Sequence, residues 1–158
     1  MGWLADESGL DKNAANYVPL TPLSHLRRAA QVFPDREAVV YGAHRKNYAE
    51  YHARVSQLAS ALVKIGITPG DVVATLLPNV PAQAEAHFGV PACGAVLNTI
   101  NIRPEADTIA YTLEHEGAKA VPVDSPFLTI SLPAIALMEG SSQQIIQSAD
   151  YGDGFHLV

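Results

Sequence analysis

The sequence predicts an α/β fold: a βαβαβ unit on a mostly parallel sheet. Three observations lead there. From residue 71 onward the pattern runs strand, helix, strand, helix, strand, the order of a parallel sheet with helices on its faces. Residues 72–77 are almost continuously apolar, as a strand covered on both faces requires. Tyr51, Val55, Leu58, Leu62 and Ile65 recur at steps of three and four, the stripe of an amphipathic helix.

Each element has a local reason. Residues 1–20 are polar and irregular, the composition of a loosely held arm. Thr21 and Pro22 form a helix start, with Thr21 as N-cap and Pro22 in the first turn. Leu23, Leu26, Ala30 and Phe33 follow at helical spacing, and Pro34-Asp35 closes that helix. Residues 37–41 read as a strand, Gly42 as a turn, and 46–48 as its return. Asn47 with Glu50 predicts a capping box for the striped helix, and Gly66 its C-terminal glycine. Thr68-Pro69-Gly70-Asp71 is a turn.

The strand at 72–77 breaks at Pro78-Asn79-Val80-Pro81, and a helix over 82–93 follows, packed through Phe88 and Val90. Pro91 should kink it, because proline removes a helix hydrogen bond. A strand at 95–97 leads into a polar loop at 98–103. Pro104 then opens a helix with Glu105 and Asp107 in its first turn, where the helix dipole favours acids. Residues 119–123 form the last clear strand, although Pro122 forfeits a ladder donor. Residues 131–138 carry a weak helical pattern broken by Pro133, and 141–158 read as a tail.

Composition excludes several classes. The 158 residues are 48% hydrophobic and 16% charged, with net charge -6, which fits a folded domain. Lys and Arg are scattered apart from the pairs Arg27-Arg28 and Arg45-Lys46, so no basic stripe offers nucleic acid a footprint. Cys93 is the single cysteine, which rules out an internal disulfide and a four-thiolate zinc site and points to the reducing cytoplasm. No apolar run approaches the ~18 residues of a membrane span, and the first residues do not have the pattern of a secretory signal.

Several short motifs then line up. They are residues 33–42 (Phe-Pro-Asp-Arg-Glu-Ala-Val-Val-Tyr-Gly), Tyr48-Ala49-Glu50-Tyr51, Ala59, Ala61-Leu62, Ile65-Gly66-Ile67, residues 69–74, Leu77-Pro78-Asn79 and residues 94–101. In this order and spacing over residues 20–124 they resemble AMP-forming acyl-CoA synthetases, with a pattern similar to the medium-chain and methylmercaptopropionate CoA ligases. The resemblance implies the N-terminal subdomain of the acyl-adenylate-forming fold. It implies ATP, Mg²⁺ and CoA as cofactors, a carboxylic acid as substrate, and a place in fatty acid metabolism. In the reaction it implies, a carboxylate attacks the α-phosphate of ATP, and the CoA thiol then displaces AMP from the acyl-adenylate. Full-length members bring a Ser/Thr/Gly-rich phosphate loop and a catalytic lysine from a C-terminal domain. This sequence contains no glycine-rich phosphate cradle; Gly152-Asp153-Gly154 is too short and precedes neither a helix nor a lysine. The expected organisation is an arm at 1–20, a partial AMP-binding domain at 21–124 and a divergent, truncated tail at 125–158, roughly the first quarter of a family member.

One residue carries a role over from the resemblance. Arg103, in the Asn-x-Arg position, implies a contact with a phosphate of CoA, since planar guanidinium donors match phosphate oxygens and keep their charge. Ile102 departs from the proline of many members. The plain reading of Arg103 is a solvated arginine paired with Glu105. Asn98, Thr99 and Asn101 line the same loop at the C-terminal edge of the sheet, where ligands tend to bind, or they serve the loop's own backbone.

His25, His44, His52, His87, His115 and His156 lack metal-ligand spacing, and Glu85 and His87 fall on different helix faces. Cys93 reads as a buried small residue, and no Gly-x-Ser-x-Gly turn signals a hydrolase. No catalytic or metal-binding residue is expected. Three functions compete: part of an acid–thiol ligase that is inactive alone; a non-catalytic nucleotide- or CoA-binding or interaction module; and, weakest, an intact small enzyme of another class, for which the sequence supplies no cluster of preorganised donors or metal ligands.

Overall fold

A computed structural model describes residues 11–138 and 143–148, and the backbone of 155–157. Its centre is a sheet of order β4-β3-β5-β6-β7, from β3 (Val72–Thr75), β4 (Val96–Thr99), β5 (Ala118–Asp124), β6 (Gln144–Ser148) and β7 (Phe155–Leu157). The four strands β4, β3, β5 and β6 run parallel, and β7 joins β6 antiparallel. The α/β class and the parallel core are as the sequence predicts. The sheet extends further than the sequence predicts: Gln144–Ser148, within the expected tail, forms a full parallel partner of β5. Its Ile-Ile centre fits the buried side of that strand.

Alternation along the strands divides the core into two layers. Val73, Ala120 and Ile146 face α2 (Tyr48–Lys64) and α3 (Pro81–Ala92). Ala74, Leu76, Val121 and Val123 face α4 (Ala106–Glu116) and α5 (Leu128–Ala136). A third, smaller cluster of Leu26, Tyr51 and Val55 joins α1 (Pro22–Val32) and the hairpin of β1 (Glu37–Tyr41) and β2 (His44–Asn47) to α2.

The caps explain the helix boundaries. The Thr21 hydroxyl accepts from the Ser24 N–H, and Asn47 and Glu50 form the reciprocal capping box. Gly66, at φ +94°, takes the left-handed turn after α2. Some expectations shift. Pro104 lies outside α4, whose N-cap is Glu105, so the helix starts two residues later than read. Phe33 is the C-cap of α1 and stands half exposed under the Arg36 guanidinium instead of entering the core. Pro91 falls in the last turn of α3, where the helix tolerates it. Pro122 occupies a central strand. Its carbonyl accepts from the Leu76 N–H, so its missing donor faces β3, where the β3–β5 ladder is reduced to a single bridge.

Candidate functional site

The parallel strands direct their C-terminal ends to one edge, the side on which open α/β sheets bind ligands. Four segments meet there: 76–80 after β3, 100–105 after β4, the 3₁₀ turn Ser125–Phe127 after β5, and the end of β6. A hydrogen-bond network ties the last two together. The Ser125 hydroxyl donates to the Ser148 carbonyl at 3.1 Å and accepts from the Gln147 amide at 3.1 Å. Buried Asp124 accepts from the Ser125 N–H and caps the turn.

The residues singled out in the sequence separate. Asn98 and Thr99 belong to β4, not to a loop, and the Asn98 amide donates to the Glu116 carboxylate at the end of α4. Asn101 accepts from the Arg103 N–H at 3.1 Å, so it serves the loop's own backbone. Arg103 is exposed, and among the described residues its guanidinium makes no ion pair, with Glu105 or any other acid. It is available to a phosphate, and it is the one group of the loop with that chemistry. The described residues hold no cluster of His, Cys, Asp and Glu fit for a metal ion. The Cys93 thiol, half buried, donates to the Val90 carbonyl. His115 stacks on Tyr111, and Gly152-Asp153-Gly154 and the His156 side chain lie outside the described residues.

Sequence reading missed the most buried charge. Glu85, with a side chain 1% exposed, receives Arg54 Nε and Nη2 at 3.0 and 2.9 Å and Lys46 Nζ at 2.9 Å. Its partners lie 31 and 39 positions away, and no local pattern links them. Beside it the Tyr51 hydroxyl donates to the Ala84 carbonyl at 2.6 Å. Burial, with the Glu85 charge adding to it, pushes that phenol above its ordinary range.

Two adjoining apolar grooves lie beside Tyr51 and Ala84. One of about 740 Å³ lies between α1 and the hairpin; one of about 610 Å³ lies between β1 and the N-terminal turn of α3. They share Pro22, Val39, Tyr51, Ala84 and Phe88.

Comparison with known proteins matches residues 26–151 of the sequence to the family model "AMP-binding enzyme". The chain belongs to that family. It is 46% identical over 134 residues to the peroxisomal acetate/butyrate–CoA ligase AAE7 of Arabidopsis thaliana, covering 85% of this chain and 24% of that protein. It is 46% identical over 138 residues to the acetate–CoA ligase CCL3 of Humulus lupulus, covering 87% of this chain and 24% of the relative. A fatty acyl CoA synthetase of Mycobacterium tuberculosis superposes with a TM-score of 0.74 at 30% identity, over 80% of this chain and 26% of that one. The chain therefore corresponds to an N-terminal part of the acyl-CoA ligase family and spans about a quarter of the plant relatives' length. No helix among the described residues is long and apolar enough to cross a membrane.

Proposed function

We propose that this chain is the N-terminal part of an acid–thiol ligase that makes an acyl-CoA by way of an acyl-adenylate. The observation that carries the reading is the family match over residues 26–151. In the proposed reaction a carboxylate oxygen attacks the α-phosphorus of ATP and pyrophosphate leaves; the CoA sulfur then attacks the acyl carbon and AMP leaves. The chain's own share is scaffolding. The sheet and its three apolar clusters hold the C-terminal edge, and Arg103 offers a guanidinium to a CoA phosphate.

Its sequence has no glycine-rich triphosphate cradle, and phosphoryl chemistry depends on preorganised donors or a metal. We therefore take the chain by itself to be inactive, with ATP, Mg²⁺ and CoA used only by a longer protein. In this reading the domain proper starts at residue 21 and continues past 124, since α5 packs into the core and β6 pairs with β5, while 1–20 form an arm. The acid is aliphatic, in keeping with acetate and butyrate in the names of the two plant relatives. The compartment is cytoplasmic, on the strength of the single cysteine.

The test joins this chain to the coding sequence that follows it and supplies ATP, Mg²⁺ and CoA with acetate, butyrate, octanoate or benzoate. Acid-dependent AMP and acyl-CoA support the proposal, and preference for an aliphatic acid supports the narrower one. A folded longer protein that makes neither product overturns both. CoA titration of the same protein and its Arg103→Ala variant tests the phosphate contact; equal affinities remove Arg103 from the site.

A further inference from the structure

The central sheet ends at β4, which pairs with β3 alone. The Val96 and Ile100 N–H groups donate to the Asp71 and Thr75 carbonyls, so residues 96, 98 and 100 turn their backbone groups toward β3. By alternation the N–H and C=O of Leu97 and Thr99 point off the edge. Neither residue has a backbone partner there among the described residues.

The sequence does not guard this edge. Exposed sheet edges commonly carry a lysine, a proline or a bulge that turns other strands away. Residues 92–102 contain no charged side chain and no proline, and β4 pairs with β3 without a bulge. Val96, 53% exposed, sets an apolar side chain beside the open groups. The β1–β2 hairpin is different, with Glu37 on one strand and Arg45 and Lys46 on the other.

Charge and register both select the occupant. The chain carries a net charge of -6, so its copies repel one another, and an uncharged stretch is where they meet with least repulsion. Antiparallel pairing about a two-fold axis at Asn98 sets Leu97 opposite Thr99 of the second copy. Each such pair exchanges both ladder bonds, and every open group is satisfied at once. Sliding the register one way sets Thr99 against Ala95, whose N–H already donates to the Val90 carbonyl. Sliding it the other way runs past the end of the strand at Thr99.

We propose that β4 is a self-association edge: two copies of this chain pair β4 antiparallel through Leu97 and Thr99 and join their sheets into one. The proposal stands on the open edge and does not depend on the ligase reading.

The experiment is sedimentation equilibrium of the purified 158-residue chain across a concentration series, which should show a monomer–dimer equilibrium. Thr99→Pro should weaken the dimer at least about tenfold, because the lost N–H points off the edge and bonds only to the second copy. Thr99→Lys, which keeps the N–H and charges the edge, should weaken it similarly and decides the matter if Thr99→Pro does not fold. Disulfide trapping then tests the register. In a Cys93→Ser background, Asn98→Cys should cross-link two copies on oxidation, since facing residues at that pair lie about 4.5 Å apart between Cα atoms. Val96→Cys, distant from its counterpart in this register, should not. A chain that stays monomeric, a dimer unchanged by both Thr99 variants, or cross-linking through position 96 and not 98 would each overturn the proposal. So would a monomer whose Leu97 and Thr99 amides exchange slowly, since another part of the same chain would then cover the edge.

Discussion

Arg54 grips Glu85 with two parallel hydrogen bonds, from Nε at 3.0 Å and Nη2 at 2.9 Å, and so locks α2 to α3 around a carboxylate that is 1% exposed. Lys46 brings the β1–β2 hairpin to the same carboxylate. Removing the anion leaves two cations, 17% and 23% exposed, facing each other. Breaking a buried pair from one side costs about 3 kcal/mol. Glu85→Ala should lower the urea midpoint accordingly, and Lys46→Met should cost less because Arg54 still pairs Glu85. Equal losses from the two variants would mean that the carboxylate is not the hub.

Gly89 lets α2 and α3 approach closely. A Cβ there would lie 2.7 Å from Leu58 Cδ2 and 2.9 Å from Cγ, too near for the leucine tip alone to relieve. Gly89→Ala should destabilise by about 1–3 kcal/mol despite alanine's better helix propensity. Adding Leu58→Ala should recover part of that loss relative to the sum of the single changes, a coupling that a double-mutant cycle measures. Strict additivity would refute the contact.

Asp71 links acid stability to the turn before β3. Lys119 Nζ at 2.7 Å, together with the N–H and hydroxyl of Thr68, holds its carboxyl down at about 2, from an ordinary 3.8. A depressed folded-state value means a contribution that is complete above the unfolded value and disappears as pH falls from about 3.8 through about 2. Asp71→Asn should therefore be less stable than wild type at neutral pH, and the two should converge below that window. A difference that keeps its full neutral-pH size below pH 2 would contradict the assignment.

Tyr51 tests the groove floor. Tyr51→Phe keeps the ring against Phe88, with which it makes an edge-on contact at 5.8 Å, and deletes the bond to the Ala84 carbonyl. The expected cost is about 1 kcal/mol in chemical denaturation. Because the folded phenol titrates only well above its ordinary range, tyrosinate absorbance for one tyrosine should appear with unfolding and not before.

Much of the fold was legible because its cues are local. The caps at Thr21 and Asn47, the turn at Gly66 and the stripe on α2 each lie within a few residues, and each recurs in the structure. β6 was hidden because a short apolar strand among Ser and Gln has no periodic signal, and only its pairing with β5 defines it. The candidate site was less legible. Asn98 is a strand residue because it pairs with Ala74 of β3, a distant contact, and the Glu85 cluster likewise depends on contacts that no window of sequence contains. Arg103 is exposed on its loop, with no ion pair among the described residues, and the CoA titration decides its role.

The central claim is that these residues scaffold an adenylating ligase without carrying its chemistry. AMP release by the purified 158-residue chain, given butyrate, ATP, Mg²⁺ and CoA, tests it most directly. The account predicts no AMP above the protein-free control. Release that requires both the acid and CoA, and that follows the chain through purification, would contradict it.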